Sequence, residues 1–139
     1  MAANDALVLD TNVVLDWLVF ADPRVAALVA AIEAGSVRWL SCAAMREEFE
    51  RTLGYRMLGK WQPNCERSLS KFDCYAEICP SPRTLPALRC SDPDDQIFLD
   101  LAVATGSAWL LTHDRALLRL AKRAAALGVK VVAPARWQP

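Results

Sequence analysis

Residues 6–13 read Ala6-Leu7-Val8-Leu9-Asp10-Thr11-Asn12-Val13. Four apolar residues in a row, stopped by an acid, predict a short strand buried on both faces. From Asn12 to Phe20 the pattern turns helical. A strand with no solvent-facing side needs helices on both sides of its sheet, so this opening already points to a parallel α/β arrangement.

Outward from there, the chain repeats the alternation. Asp22-Pro23 is a cap followed by a first helical turn, and residues 25–34 carry a helical pattern that Gly35 stops. Residues 37–40 read as a second strand. Ser41 is positioned to cap a long helix reaching about Met57, and residues 64–78 read as another helix. The Pro-rich stretch 79–88 reads as loop with room for one short edge strand. Asp92-Pro93 opens a helix ending near Gly106, and Ala108-Trp109-Leu110-Leu111 is a third clear strand. Asp114 caps a helix running to Leu127, which Gly128 ends, and residues 129–132 form a last strand. Strands alternating with helices predict one domain over residues 1–139, with helices on both faces of a parallel sheet.

Composition excludes several classes of function. The chain has 139 residues, of which 54% are hydrophobic and 23% charged, so it is not an intrinsically disordered polymer. Sixteen basic residues balance sixteen acidic ones, which leaves no general electrostatic grip on nucleic acid; any such contact is local. Apolar runs are interrupted by charge well before the length of a membrane span, and residues 1–10 lack a signal-peptide pattern, so the expected setting is the cytoplasm with no membrane partner. Five cysteines at 42, 65, 74, 79 and 90, with a single histidine, His113, offer neither paired zinc ligands nor a disulfide framework.

In open α/β sheets, ligands bind beyond the carboxyl ends of the strands. Asp10 follows the first strand; Thr112, His113 and Asp114 follow the Leu111 strand. Glu48 lies on the mostly apolar side of its helix with Ala44, Met45, Thr52 and Tyr55, where a charge is costly unless paired or metal-bound. The Asp92-Asp94-Asp95 group can reach the same edge. Each acid alone has an ordinary use: Asp10, Asp92 and Asp114 suit helix caps, and Asp94 suits a first-turn position. Several carboxylates on one edge repel one another unless a cation joins them, and an all-oxygen donor set suits Mg²⁺ or Mn²⁺.

Taken together, these residues resemble a PIN domain. Leu7-Val8-Leu9-Asp10-Thr11-Asn12-Val13 is similar to that family's opening strand and Asp-Thr-Asn turn. Ser41 followed by Glu48-Phe49 and Leu53 is similar to its second acidic position. Residues 92–102 resemble its third, and residues 108–118, with Thr112-His113-Asp114, its last. His113 departs from the usual Asn or Gly there. The resemblance covers nearly the whole chain and lies nearest the small bacterial PIN-family toxin components of toxin–antitoxin pairs. It implies a three-layer α/β/α, Rossmann-like fold with about five parallel strands and a metal-dependent ribonuclease. By position, Asp10, Glu48, Asp95 and Asp114 would be the catalytic and metal-holding residues. Asn12, Thr112 and Asp92 would be their polar neighbours. It implies further an RNA substrate cleaved by metal-activated water, a cognate antitoxin and a homodimer. Which of Asp92, Asp94 and Asp95 reaches the metal stays open.

Positive charge near the acids has one clear source. Residues 115–139 hold Arg115, Arg119, Lys122, Arg123, Lys130 and Arg136 with no Asp or Glu. Arg46, Arg51, Arg56 and Lys60 accompany Glu48. Arg51, Arg115 and Arg119 are candidates for gripping phosphates, a contact that positions RNA without reading its sequence.

Two other classes compete. A phosphatase or receiver domain built on a strand-end Asp fits badly, because Asn12 stands where a second acid is needed. A non-catalytic interaction module would use the acids as caps and aromatics such as Trp61 and Trp137 as an interface.

Overall fold

The computed structural model describes residues 5–55, 59, 64–84 and 88–139. The Glu48 helix ends at Leu53 with Gly54 as its C-cap, short of the expected end near Met57; Met57 and the interface candidate Trp61 lie outside the described residues.

Five strands form one sheet: β1 (Ala6–Leu9), β2 (Arg38–Cys42), β3 (Ala76–Cys79), β4 (Trp109–Leu111) and β5 (Lys130–Val132), in the order β3-β2-β1-β4-β5. All four pairings are parallel. Leu7, Val8, Leu9, Leu110 and Leu111 are all but inaccessible to solvent, as the apolar runs require. The helices are α1 (Thr11–Leu18), α2 (Ala26–Glu33), α3 (Ala43–Leu53), α4 (Cys65–Tyr75), α5 (Gln96–Thr105), α6 (Arg115–Leu118) and α7 (Ala121–Ala126). One core, on Leu7, Leu9, Trp39, Phe49 and Phe72, packs one sheet face; the other, on Val8, Phe98, Leu99, Leu110 and Leu117, packs the opposite face. Successive residues of β1 thus feed opposite cores, which gives the three-layer α/β/α fold.

The connections differ from the sequence pattern in three places. Ser41 does not cap α3: β2 runs on to Cys42, because Ser41 and Cys42 pair with Ile78 and Cys79 of β3. The expected helix to Ile78 stops at Tyr75, since residues 76–79 complete the sheet edge. The backbone hydrogen bonds of that edge outweigh a helical pattern that was only locally consistent. The helix expected from Asp114 to Leu127 is two helices, with Leu120 out of helical geometry (φ −89°, ψ 4°). Neither Gly nor Pro marks that break, and Leu118, Leu120 and Ala121 around it pack against the core. Gly106, at φ +65°, closes α5 in the left-handed conformation and lets the chain enter β4. Trp137 is core rather than interface: it is 6% exposed and meets Trp109 edge-on at 5.5 Å.

The strand order reverses between β1 and β4. β1 leads outward to β2 on one side, and the chain returns to β4 on the other. The crevice above these two strands is the topological switch point, and it receives whatever follows Leu9 and Leu111.

Candidate functional site

Asp10 is the residue at that crevice's floor. It is 4% exposed and held from both sides of the sheet: its backbone N–H donates to Leu111 O, and its carboxylate accepts from the Thr112 hydroxyl at 2.7 Å. It occupies the N-cap position of α1 but makes no side-chain capping hydrogen bond. Burial pushes its pKa up; the Thr112 hydroxyl and the nearby Asn12 N–H oppose this, and Glu48 and Asp114 add to it as neighbouring negative charges. The capping use that suited Asp10 from sequence is therefore not how its carboxylate is spent.

Asp114 and Asp92 do cap. Asp114 accepts from Ala116 N at 2.7 Å, and Asp92 from Asp94 N at 3.0 Å. Each uses one carboxylate oxygen this way. Among the described residues, Asp92, Asp95 and Asp114 form the one cluster of potential metal-ligating side chains, with an oxygen from each within 4.8 Å of the others. Asp94 is exposed and lies outside it. Asp95 is pushed up to about 8 from the ordinary 3.8, first by burial, then by a shared hydrogen bond with Asp114 and by the charges of Asp10, Asp114 and Asp92. One of its carboxylate oxygens is buried without a partner. A buried, unpartnered carboxylate oxygen facing other acids is the arrangement a hard cation resolves, so the residues fit a divalent metal.

Glu48 reaches the crevice from α3. The Thr11 hydroxyl donates to its carboxylate, and the Thr52 hydroxyl bonds its backbone carbonyl at 2.8 Å. Among the described residues no cation pairs with it, so it is not a rim Glu neutralised by Arg51. A cavity of about 350 Å³ is lined by Asp10, Thr11, Asn12, Leu15, Phe20, Glu48, Thr52, Tyr55 and Asp95. Three of the four expected acids, Asp10, Glu48 and Asp95, line this cavity from separated segments, and Asp114 meets Asp95 in the neighbouring cluster.

The polar neighbours are partly redistributed. Thr112 behaves as expected: fully buried, it donates to Asp10 and accepts the Asp114 N–H at 2.9 Å, which couples two acids through one hydroxyl. Asn12 lines the cavity, but its exposed side chain makes no hydrogen bond among the described residues. The side chain that orients a carboxylate in that turn is Thr11, which sequence reasoning passed over although it stands between Asp10 and Asn12. Gln96 was also missed. Buried at 8% exposure, it accepts from Cys90 N at 2.6 Å and donates to Leu88 O and to Asp100, fixing the approach to the 92–95 turn. His113 is paired rather than poised over the cavity: its Nε2 lies 2.6 Å from Asp16 on α1.

Arg51, Arg115 and Arg119 are exposed and make no ion pair among the described residues, whereas Arg46 is engaged by Asp73 and Glu50. No described helix is long and apolar enough to cross a membrane.

A parallel α/β fold with an acidic crevice at its switch point places the ligand site beyond the carboxyl ends of β1 and β4. The sequence model of the PIN domain matches residues 6–116, from β1 into α6, and the chain belongs to the PIN-domain family. PIN domains are generally nucleases and typically depend on divalent metal ions. No curated protein matches the chain.

Proposed function

We propose that this PIN-domain protein is a Mg²⁺- or Mn²⁺-dependent endoribonuclease. The observation that carries the reading is Asp95: a carboxyl with a buried unpartnered oxygen, its pKa pushed up to about 8 among Asp10, Asp92 and Asp114. Capping alone gives no reason to assemble such a cluster; metal binding does. Asp10, Glu48, Asp95 and Asp114 would hold the ion, with Asp92 beside them. Thr112 and Thr11 orient Asp10 and Glu48 by hydrogen bonds. When bound, the metal supplies a water of lowered pKa and stabilises charge building on the phosphate. Hydrolysis there would join the water oxygen to phosphorus, break one ester P–O bond, and balance the proton the water gives up with the one the leaving oxygen takes. No side chain need form a covalent intermediate. Arg51, Arg115 and Arg119 offer unpaired positive charge for flanking phosphates.

The resemblance to small bacterial PIN toxins supports a role as the toxin of a toxin–antitoxin pair. In that role it would be neutralised by a cognate antitoxin, act as a homodimer and work on RNA in the cytoplasm.

The test is cleavage of structured and unstructured RNA by wild type and Asp10→Asn, in Mn²⁺, Mg²⁺ or EDTA, beside melting with and without Mn²⁺. Cleavage by wild type alone, abolished by EDTA, and a melting rise in Mn²⁺ that Asp10→Asn loses support the reading. No cleavage and no melting shift overturn it in favour of a catalytically inactive RNA- or protein-interaction module.

A further inference from the structure

The acidic crevice has an aromatic rim that metal binding does not use. Tyr55 follows Gly54 at the end of α3, and its backbone is fixed by Tyr55 N donating to Thr52 O at 3.0 Å. Its side chain is not tucked in: Tyr55 is 50% exposed, one of three large hydrophobic residues so exposed among those described, with Ile78 and Leu127. Of the three, Tyr55 alone lines the cavity that holds Asp10, Glu48 and Asp95. Other aromatic residues spend their faces on one another. Trp17 meets Trp39 and Tyr75, Phe72 meets Trp39 and Phe49, and Trp109 meets Trp137. Tyr55 makes no ring contact, and its hydroxyl no hydrogen bond, among the described residues. Phe20 and Leu15, from the opposite side of the same cavity, give it a second apolar wall.

An exposed ring on a fixed backbone, at the mouth of a pocket suited to a phosphodiester, matches one chemistry. Aromatic faces receive nucleobases by stacking, and they do so with little sequence preference. Resting on the nuclease reading above, we propose that Tyr55 is a stacking platform for the nucleobase next to the phosphate held in the crevice. It thereby selects a strand whose base at that position is free to leave its neighbours. Paired bases in a duplex keep both faces covered and cannot use it. α3 links the two: Glu48 and Thr52 share one helix face, and Tyr55 follows directly beyond the Gly54 C-cap, its N–H donating back to Thr52 O.

The experiment uses the full chain in Ca²⁺ and short unpaired RNA strands carrying the fluorescent base analogue 2-aminopurine, one position per strand. Stacking on an aromatic ring quenches this base. Expected is a position at which wild type and Tyr55→Phe quench, while Tyr55→Ala does not and binds roughly 5- to 100-fold more weakly, the range expected for one lost base stack. In cleavage, Tyr55→Ala should raise KM by a similar factor with kcat changed little, and leave the Mn²⁺ melting shift intact. A strand lacking the base at that position should lower wild-type binding as much as Tyr55→Ala does, with no further loss in the variant. Quenching at no position, equal quenching by Tyr55→Ala, or additive losses with the abasic strand overturn the proposal. Absence of both cleavage and a Mn²⁺ melting shift in wild type overturns the nuclease reading separately, because the quenching measurement does not require turnover.

Discussion

Replacing Asp95 by Asn should change the pH dependence of stability in a direction that only a raised carboxyl produces. In the unfolded chain Asp95 loses its proton near the ordinary 3.8; in the fold it keeps it until about 8. Between these values the native state binds more protons than the unfolded state, so stability falls as pH rises. The favourable contribution is fully present below about pH 4 and gone above about pH 8. One whole proton gives a limiting slope of about 1.4 kcal/mol per pH unit. Asp95 is only partly buried, and solvent screening shortens by about half the pH range over which this slope applies, leaving roughly 1.5–2 kcal/mol between pH 5 and 7.5. For a chain of this size that is about 6 °C in Tm. Asn imitates the protonated acid and can still donate to Asp114. Relative to wild type, Asp95→Asn should therefore gain about 6 °C between pH 5 and pH 7.5, measured by thermal and urea unfolding in EDTA. Asp22, Asp73 and Glu77 have lowered pKa values, so their contributions are lost only as pH falls through the acid range. The other groups of this region, Asp10 and His113 among them, are common to both proteins, so the comparison with wild type isolates Asp95. Parallel curves for the two proteins across pH 5–7.5 would refute the reasoning.

Three further outcomes follow from the same geometry. Because a ligand must be deprotonated to bind metal, Mn²⁺ affinity should weaken by up to about tenfold per pH unit below pH 8, and calorimetry in buffers of different ionisation enthalpy should count close to one proton released near pH 7; no release would remove Asp95 from the ligand set. Thr112→Val leaves the Asp114 N–H without its buried partner and strips Asp10 of a donor, so it should cost about 1–3 kcal/mol in chemical unfolding and weaken Mn²⁺ binding, whereas Thr112→Ser should restore both. Gln96→Leu strands Cys90 N, Leu88 O and the Asp100 contact. It should cost about 2–4 kcal/mol, with hydrogen exchange at Cys90 rising well above that of β1; unchanged exchange would show that another group holds the turn.

Much of this site was legible because strands buried on both faces announce themselves. Ala6–Leu9 and Trp109–Leu111 are continuous apolar runs, and the acids directly after them fall at the switch point by topology. Glu48 was legible by a different route, as a charge on the apolar side of a helix. What stayed hidden depended on partners far away in sequence. Residues 76–79 become a strand only because β2 offers its edge, and their own pattern continues α4. Thr11 matters through a residue 37 positions away, and His113 is taken by Asp16 at a separation of 97. Gln96 looks like an ordinary polar residue early in a helix until the 88–90 backbone folds over it.

The division of labour among the carboxylates explains why the cluster is tolerable without being inert. Asp114 and Asp92 each commit one oxygen to a helix or turn N-terminus, where backbone N–H groups offset their charge. Asp10 has the Thr112 hydroxyl, and Glu48 the Thr11 hydroxyl. Asp95 alone keeps a buried oxygen without a partner, and it answers by holding a proton. Five acids can then share the crevice with fewer than five charges, which lets the chain fold without a cation. A divalent cation bound there would take the place of that proton, and Asp10 and Glu48, proposed to hold it, are already oriented by Thr112 and Thr11. The residue that is least satisfied in the folded chain is thus the one through which metal occupancy, pH and stability are joined, and a substitution there should uncouple all three at once.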